Sequence, residues 1–207
     1  DGGPLPIQNT VSQNVMRDNG FGIELAPPFG LNTNDPGDVD IGSNQLQNSP
    51  ELSGAELING SLNIDYLVQS SGMLIIEFFI ADGSGADGET FIGSDTYSGS
   101  GGQATAVFPM AMVQSGDPIV ASATDAAGNT SEFSVNASVV EQLIVNTNLD
   151  EADGECAVDC SLRDAVALAG AGAEITFDAP LAGQTIVLTL GDILVDKLLT
   201  IDGSSLP

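Results

Sequence analysis

Asp150-Glu151-Ala152-Asp153-Gly154-Glu155-Cys156-Ala157-Val158-Asp159-Cys160-Ser161-Leu162-Arg163-Asp164-Ala165 is the stretch that decides how the rest of the chain is read. It runs from an acidic loop into the start of a helix. Ser161 is a residue type that caps a helix N-terminus, and Asp164, three positions on, can reach back to it while its charge suits the positive end of the helix dipole. The pattern predicts a short helix from Leu162 to about Ala169, closed by Gly170, with Leu162, Val166 and Ala169 on one face. Such a helix can lie as a lid over the end of a stack of strands, whose bare edge would otherwise template aggregation.

Downstream come Ile175-Thr176-Phe177-Asp178 and Leu199-Thr200-Ile201-Asp202-Gly203. With Cys160-Ser161-Leu162-Arg163-Asp164-Ala165 before them, Leu143 to Pro207 resemble the start of the CSLREA-type domain. That family opens right-handed parallel β-helices in secreted bacterial and archaeal proteins. Asp164 stands where the family has Glu, a departure that keeps the charge and the capping role. The other end of the chain resembles the close of the same domain. There, Ile7-Gln8-Asn9-Thr10-Val11 and Asn14 to Leu25 alternate short apolar runs with Asn and Gly, as rungs and corners would, and Asn34 to Pro50 reads as an exit loop.

Residues 51–138 follow a different pattern. Leu57 to Leu62, Met73 to Ala81, Thr90 to Gly93, Gln103 to Phe108, Ile119 to Thr124 and Glu132 to Val135 are short apolar runs separated by Gly, Ser and Asp turns. That spacing predicts an antiparallel β-sandwich. The phrase Ala123-Thr124-Asp125-Ala126-Ala127-Gly128-Asn129-Thr130-Ser131-Glu132-Phe133 resembles bacterial immunoglobulin-like adhesin modules. The expected fold is therefore all-β. Short parallel β-helix segments occupy 1–50 and 139–207, an immunoglobulin-like sandwich occupies 51–138, and one short helix follows Cys160. A β-helix with its end first and its beginning last implies completion by a neighbouring copy, Pro207 of one meeting Asp1 of the next, as in tandem arrays whose units bury their faces only against each other. The lack of an initiator Met, signal peptide or anchor is read as an internal or processed piece.

Composition narrows the chemistry. The chain has 207 residues, 42% of them hydrophobic, and carries 29 acidic residues against Arg17, Arg163 and Lys197, a formal net charge of −26. This charge repels nucleic acid and anionic membranes, and no apolar run is long enough to insert in a bilayer. With no His, imidazole metal sites and Ser-His or Cys-His catalysis are excluded. Lyase chemistry wants a basic residue, for which Arg17 beside Asp18 is the one candidate, and with no Trp and two Tyr sugar-stacking platforms are scarce. No enzyme activity is expected. Cys156 and Cys160 are close enough to form a small disulfide ring in an oxidising, extracellular setting, with two free thiols as the alternative.

Self-repulsion in so acidic a chain is relieved most economically by divalent cations, with halophily or solubility as the competing explanations. Calcium takes oxygen ligands from flexible loops. The densest set is Asn34, Asp35, Asp38, Asp40 and Asn44; a second is Asp150, Glu151, Asp153, Glu155 and Asp159. Asp82, Asp87, Glu89 and Asp95, with Asp125, fit turn formation better. Lys197 is expected in a surface ion pair with Asp196. Asn59, Asn129 and Asn136 begin Asn-X-Ser/Thr sequons. The function expected is a structural repeat or subunit of an extracellular filament or giant surface adhesin, joined head-to-tail to other copies, covalently or by docking. It would be stabilised by calcium, with surface polysaccharide as a further partner. The alternative is a secreted carbohydrate-binding or carbohydrate-cleaving β-helix protein.

Overall fold

The computed structural model describes residues 5–25, 30–109, 112–204 and 206. The expected junction of Pro207 with Asp1 lies outside the described residues. Among these, the chain is predominantly β with one α-helix. It divides into two compact units, the first of residues up to Ala55, Asn63–Phe108 and Asp117–Ser138, the second of Glu56–Leu62, Pro109–Gly116 and residues from Val139 on.

In the first unit the pairing is antiparallel. Strand β3 (Gly72–Ala81) lies between β4 (Gly88–Gly99) and β6 (Pro118–Asp125), in registers running from Gly72↔Gly99 and from Leu74↔Asp125. Strands β1 (Glu51–Ile58), β2 (Ser61–Val68) and β5 (Gly102–Pro109) are neighbours in that order. Leu57 to Leu62 is not one strand. Asn59 and Gly60 both take positive φ (46° and 80°) and turn the chain from β1 into β2, because two left-handed residues match the twist of a tight hairpin and Asn-Gly reaches them at least cost. Glu132 to Val135 is not a strand either. Ser131 and Ser134 instead donate their backbone N–H groups to the Ala123 and Ala121 carbonyls beside β6.

β2 buries alternate residues Ile64, Tyr66 and Val68. Mid-strand β3 is buried on both faces: Leu74, Ile76 and Phe78 point one way, Glu77 and Phe79 the other. On the first face Phe78 meets Tyr66 and Phe108 edge-on, at centroid separations of 5.5 and 5.6 Å. On the second Phe79 meets Phe91 and Phe133 in the same way, and Met16 and Ile23 pack against that cluster. Edge-to-face contacts place the positive ring rim on the negative ring face.

Met16 and Ile23 belong to a segment expected to form β-helix rungs, and here the structure differs. No strand forms among the described residues before Glu51. Gln8, Gln13 and Asp18 take φ of 63°, 52° and 59°, bending the chain at regular intervals. Its backbone amides are then taken up one at a time by side chains instead of a strand ladder: Gln8 by Asn129 Oδ1 (2.7 Å), Val11 by Thr130 Oγ1 (2.9 Å), Gln13 by Glu77 Oε2 (3.2 Å), Asp18 by Asp82 Oδ2 (3.0 Å) and Asn19 by Asp87 Oδ2 (2.8 Å). Side-chain acceptors fulfil the hydrogen-bonding demand that would otherwise force a sheet.

The last three strands pair in parallel. β7 (Ala137–Val145) pairs with β8 (Glu174–Phe177) from Gln142↔Glu174 to Val145↔Phe177, and β8 pairs with β9 (Thr200–Ile201) at Glu174↔Thr200 and Ile175↔Ile201. Each strand thus returns beside the one before after a long excursion. Helix α1 (Leu162–Leu168) lies in the first excursion. Ser161 caps it, its Oγ accepting from Asp164 N at 3.0 Å. The Asp164 carboxylate reaches back to the Ser161 hydroxyl (2.7 Å), not to the Ser161 backbone, and also accepts from Gly154 N. Val166 and Ala169 enter a core with Leu143, Val145, Ala173 and Ile175, with Leu162 partly buried beside it.

Candidate cation site

The loop after Leu31 is held by amide side chains, not by regular structure. Asn34 Oδ1 accepts from Ser49 N, and its Nδ2 donates to Ser49 O and Glu51 Oε1. Asn48 Oδ1 accepts from Asp35 N at 3.0 Å, and its Nδ2 donates to Asp35 O at 2.7 Å. Asn44 is buried, accepting from the Asn9 backbone and side-chain amides and donating to the Asn9 and Thr130 carbonyls. The turn that places it gives Asn44, Gln45 and Leu46 positive φ. Gly42 lets the Leu46 side chain lie directly over it, since a Cβ there would push that side chain aside.

These clamps bring one carboxylate oxygen each from Asp35, Asp38 and Asp40 within 4.8 Å of one another. Asp35 Oδ2 accepts from Val39 N and Asp38 Oδ1 accepts from Asn48 N. Asp35 Oδ1 and Asp40 Oδ1 are buried with no hydrogen-bond partner. Burial pushes both the Asp38 and the Asp40 carboxyl up from the ordinary range, and the charge of Asp35 adds to the shift in each. Converging carboxylates with orphaned oxygens are what a hard divalent cation needs, and Asp35, Asp38 and Asp40 are the residues that would hold it. Asn34 and Asn44, expected as further ligands, are already committed to the backbone contacts above.

The second acidic set separates in the same way. Asp150 is held by Arg163, Nε to Oδ1 at 2.7 Å and Nη2 to Oδ2 at 3.1 Å, and accepts from Leu190 N at 2.7 Å. Arg163 and the Leu190 amide hold the Asp150 carboxyl at about 2. Asp153 groups with Glu151 and Asp159, largely in solvent, whereas Glu155 gives only its backbone amide to Asp153. Cys156 and Cys160 are joined by a disulfide.

The remaining acids do separate work. Asp82 and Asp87 are buried; Glu89 pairs with Arg17 at 3.4 Å in solvent, Asp95 accepts from the Tyr66 hydroxyl, and Asp125 closes the turn before Asn129. The Ser84 hydroxyl and the Asp18 amide hold the Asp82 carboxyl at about 2. Lys197 makes no ion pair with Asp196 among the described residues. Its Nζ donates to the Ala169 and Ala167 carbonyls at the end of α1, where a cation suits the helix dipole. Of the sequons, Asn136 is exposed, Asn59 accepts from Ile144 N, and Asn129 is wholly buried with its Nδ2 on Asp125.

Sequence reading passes over two buried carboxylates, Glu77 and Glu132. Glu132 accepts from Leu25 N (2.8 Å), Asn32 N (2.6 Å) and Asn32 Nδ2 (2.8 Å), and Glu77 from Ser12 Oγ and Gln13 N. The available signal was an acid amid apolar strand residues, Ile75-Ile76-Glu77-Phe78-Phe79, since a charge buried there must find donors. No protein-family model matches the chain, and no curated protein matches it.

Proposed function

We propose that this chain is a structural repeat or subunit of an extracellular filament or giant surface adhesin. The observation that carries this reading is the parallel series β7, β8, β9, whose last strand has a partner on one side only among the described residues. An edge of that kind offers unpaired N–H and C=O groups on which a further strand can pair. The resemblance of Leu143 to Pro207 to the CSLREA-type β-helix and of the middle segment to immunoglobulin-like adhesin modules supports the same reading. So does the Cys156–Cys160 disulfide, which belongs to oxidising compartments.

The mechanism is mechanical. Strand stacking between copies gives continuity, and calcium held by Asp35, Asp38 and Asp40 offsets their mutual repulsion and fixes the loop that carries them. Among the described residues no helix is long and apolar enough to cross a membrane. Electron microscopy of the native material tests the proposal. An axial repeat commensurate with one copy is expected, and isolated globules would defeat it.

A further inference from the structure

Two peptide bonds of this chain join Asp to Pro, Asp35–Pro36 and Asp117–Pro118. Such a bond is chemically labile for two reasons. The Asp carboxylate can close a five-membered ring onto its own main-chain carbonyl carbon, an intramolecular attack whose effective molarity reaches on the order of 10⁵ M when well oriented. Proline supplies a tertiary amide, whose nitrogen leaves as a secondary amine.

The fold treats Asp35–Pro36 in a particular way. Asp35-Pro36-Gly37-Asp38 is a turn dictated by its residue types: Pro at the second position, Gly37 with φ of 84° at the third, and Asp38 N donating to Asp35 O at 3.3 Å. Gly37 N is anchored on Gln69 O. Buried Asn48 grips Asp35 from both sides, its Oδ1 accepting from Asp35 N and its Nδ2 donating to Asp35 O at 2.7 Å. The carbonyl of the Asp35–Pro36 bond thus receives two N–H donors, the arrangement that stabilises an oxyanion. Asp35 Oδ2 accepts from Val39 N, which fixes the carboxylate, while Oδ1 is buried with no hydrogen-bond partner. An oxygen with no donor to give up keeps its lone pairs for a carbon.

We propose that the folded chain hydrolyses its own Asp35–Pro36 bond, with the Asp35 carboxylate as nucleophile and the Asn48 amide as oxyanion donor. Asp35 Oδ1 forms a C–O bond to the Asp35 carbonyl carbon, and the resulting oxyanion is held by Asn48 Nδ2 and Asp38 N. Collapse breaks the C–N bond, and Pro36 N takes a proton from solvent water and leaves as a secondary amine. The cyclic anhydride left on Asp35 then adds one water and opens to an α- and a β-carboxylate. A cation on Asp35 would claim the same oxygen, so the reaction belongs to the loop without one. It does not rest on the filament reading. Cleavage leaves residues 8–25 held through the acceptors described above, so the cut shows only when the chain is denatured.

Incubation of the purified chain in chelator, in one mildly acid buffer, followed by denaturation and intact mass, tests this. Fragments 1–35 and 36–207 are expected, at a rate independent of protein concentration. Asp117–Pro118 in the same sample, and Asp35–Pro36 in chain unfolded by urea, give the lability of the bond without the site. Folded Asp35–Pro36 should exceed both by about a hundredfold, the scale of one oxyanion donor. Asp35→Glu keeps the charge but lengthens the ring, and Asn48→Ala removes the donor; each should bring the rate down to the reference. A folded wild type within about threefold of either reference would overturn the proposal. So would Asp35→Glu cleaving as fast as the wild type, which would remove the nucleophile assigned here.

Discussion

Replacing Asp40 by Asn should change the sign of its effect according to whether calcium is present. The oxygens contributed by Asp35, Asp38 and Asp40 lie within 4.8 Å of one another. At an effective dielectric near 20, two unit charges at that distance repel by about 3 kcal/mol. Asp40 takes part in two of the three pairs, but all three residues are partly exposed, so screening and relaxation reduce the net relief to about 1 kcal/mol. In chelator at low salt, Asp40→Asn should therefore be more stable than the wild type by about that amount. With calcium at one hundred times its Kd, the wild type should gain about 2.7 kcal/mol, and the variant, lacking a ligand whose Oδ1 has no other partner, much less. Urea denaturation of both proteins with and without calcium reads all four values. The reasoning fails if Asn weakens the calcium-free protein, or if calcium stabilises both proteins equally.

Glu132→Ala should cost about 3 kcal/mol, because it strands the Leu25 and Asn32 donors, and Glu132→Gln should cost less; denaturation midpoints and faster exchange of those two amides check this. Asp82 sits at about 2 when folded, against ~3.9 for an ordinary Asp. Its contribution is present above the ordinary value and lost as pH falls from about 4 to about 2, so Asp82→Asn should flatten the acid limb of a stability profile. Asp38 and Asp40 are shifted upward, so protons should displace calcium at a higher pH than from ordinary carboxylates, which calcium titrations at stepped pH would show. Expressed in a glycosylating host, the chain should carry glycan at exposed Asn136 and none at buried Asn129, and Asn136→Gln read by intact mass checks the assignment.

What the sequence disclosed divides along the range of the interaction. The helix after Cys160 was legible because its cap and its apolar face lie within one short window, and β3 was legible as a long β-prone run. The convergence of Asp35, Asp38 and Asp40 was legible for the same local reason. The Asn59-Gly60 turn was hidden inside a continuous apolar run that reads as one strand, although its dipeptide is a strong hairpin signal. The roles of Asn44, Asp150 and Glu132 could not be read, because their partners are Thr130, Leu190 and Leu25. A polar side chain looks the same in sequence whether it binds a metal, water or a distant amide. The role of Lys197 is equally non-local, because the helix end it caps is brought near only by the fold.

Residues 8–25, and Asn32 beyond them, hold their course through acceptors that other parts of the chain extend to their main-chain N–H groups. Directions for that course are consequently written in Glu77, Asp82, Asp87, Asn129, Thr130 and Glu132. Where a guided residue is exposed and its φ is negative, it can drift in identity at little penalty, proline excepted, because any other amino acid offers the same N–H; Met16, Ile23 and Leu25 are held by packing as well. Divergence between related chains should then concentrate at the exposed positions of the guided segment, while the guiding side chains stay fixed.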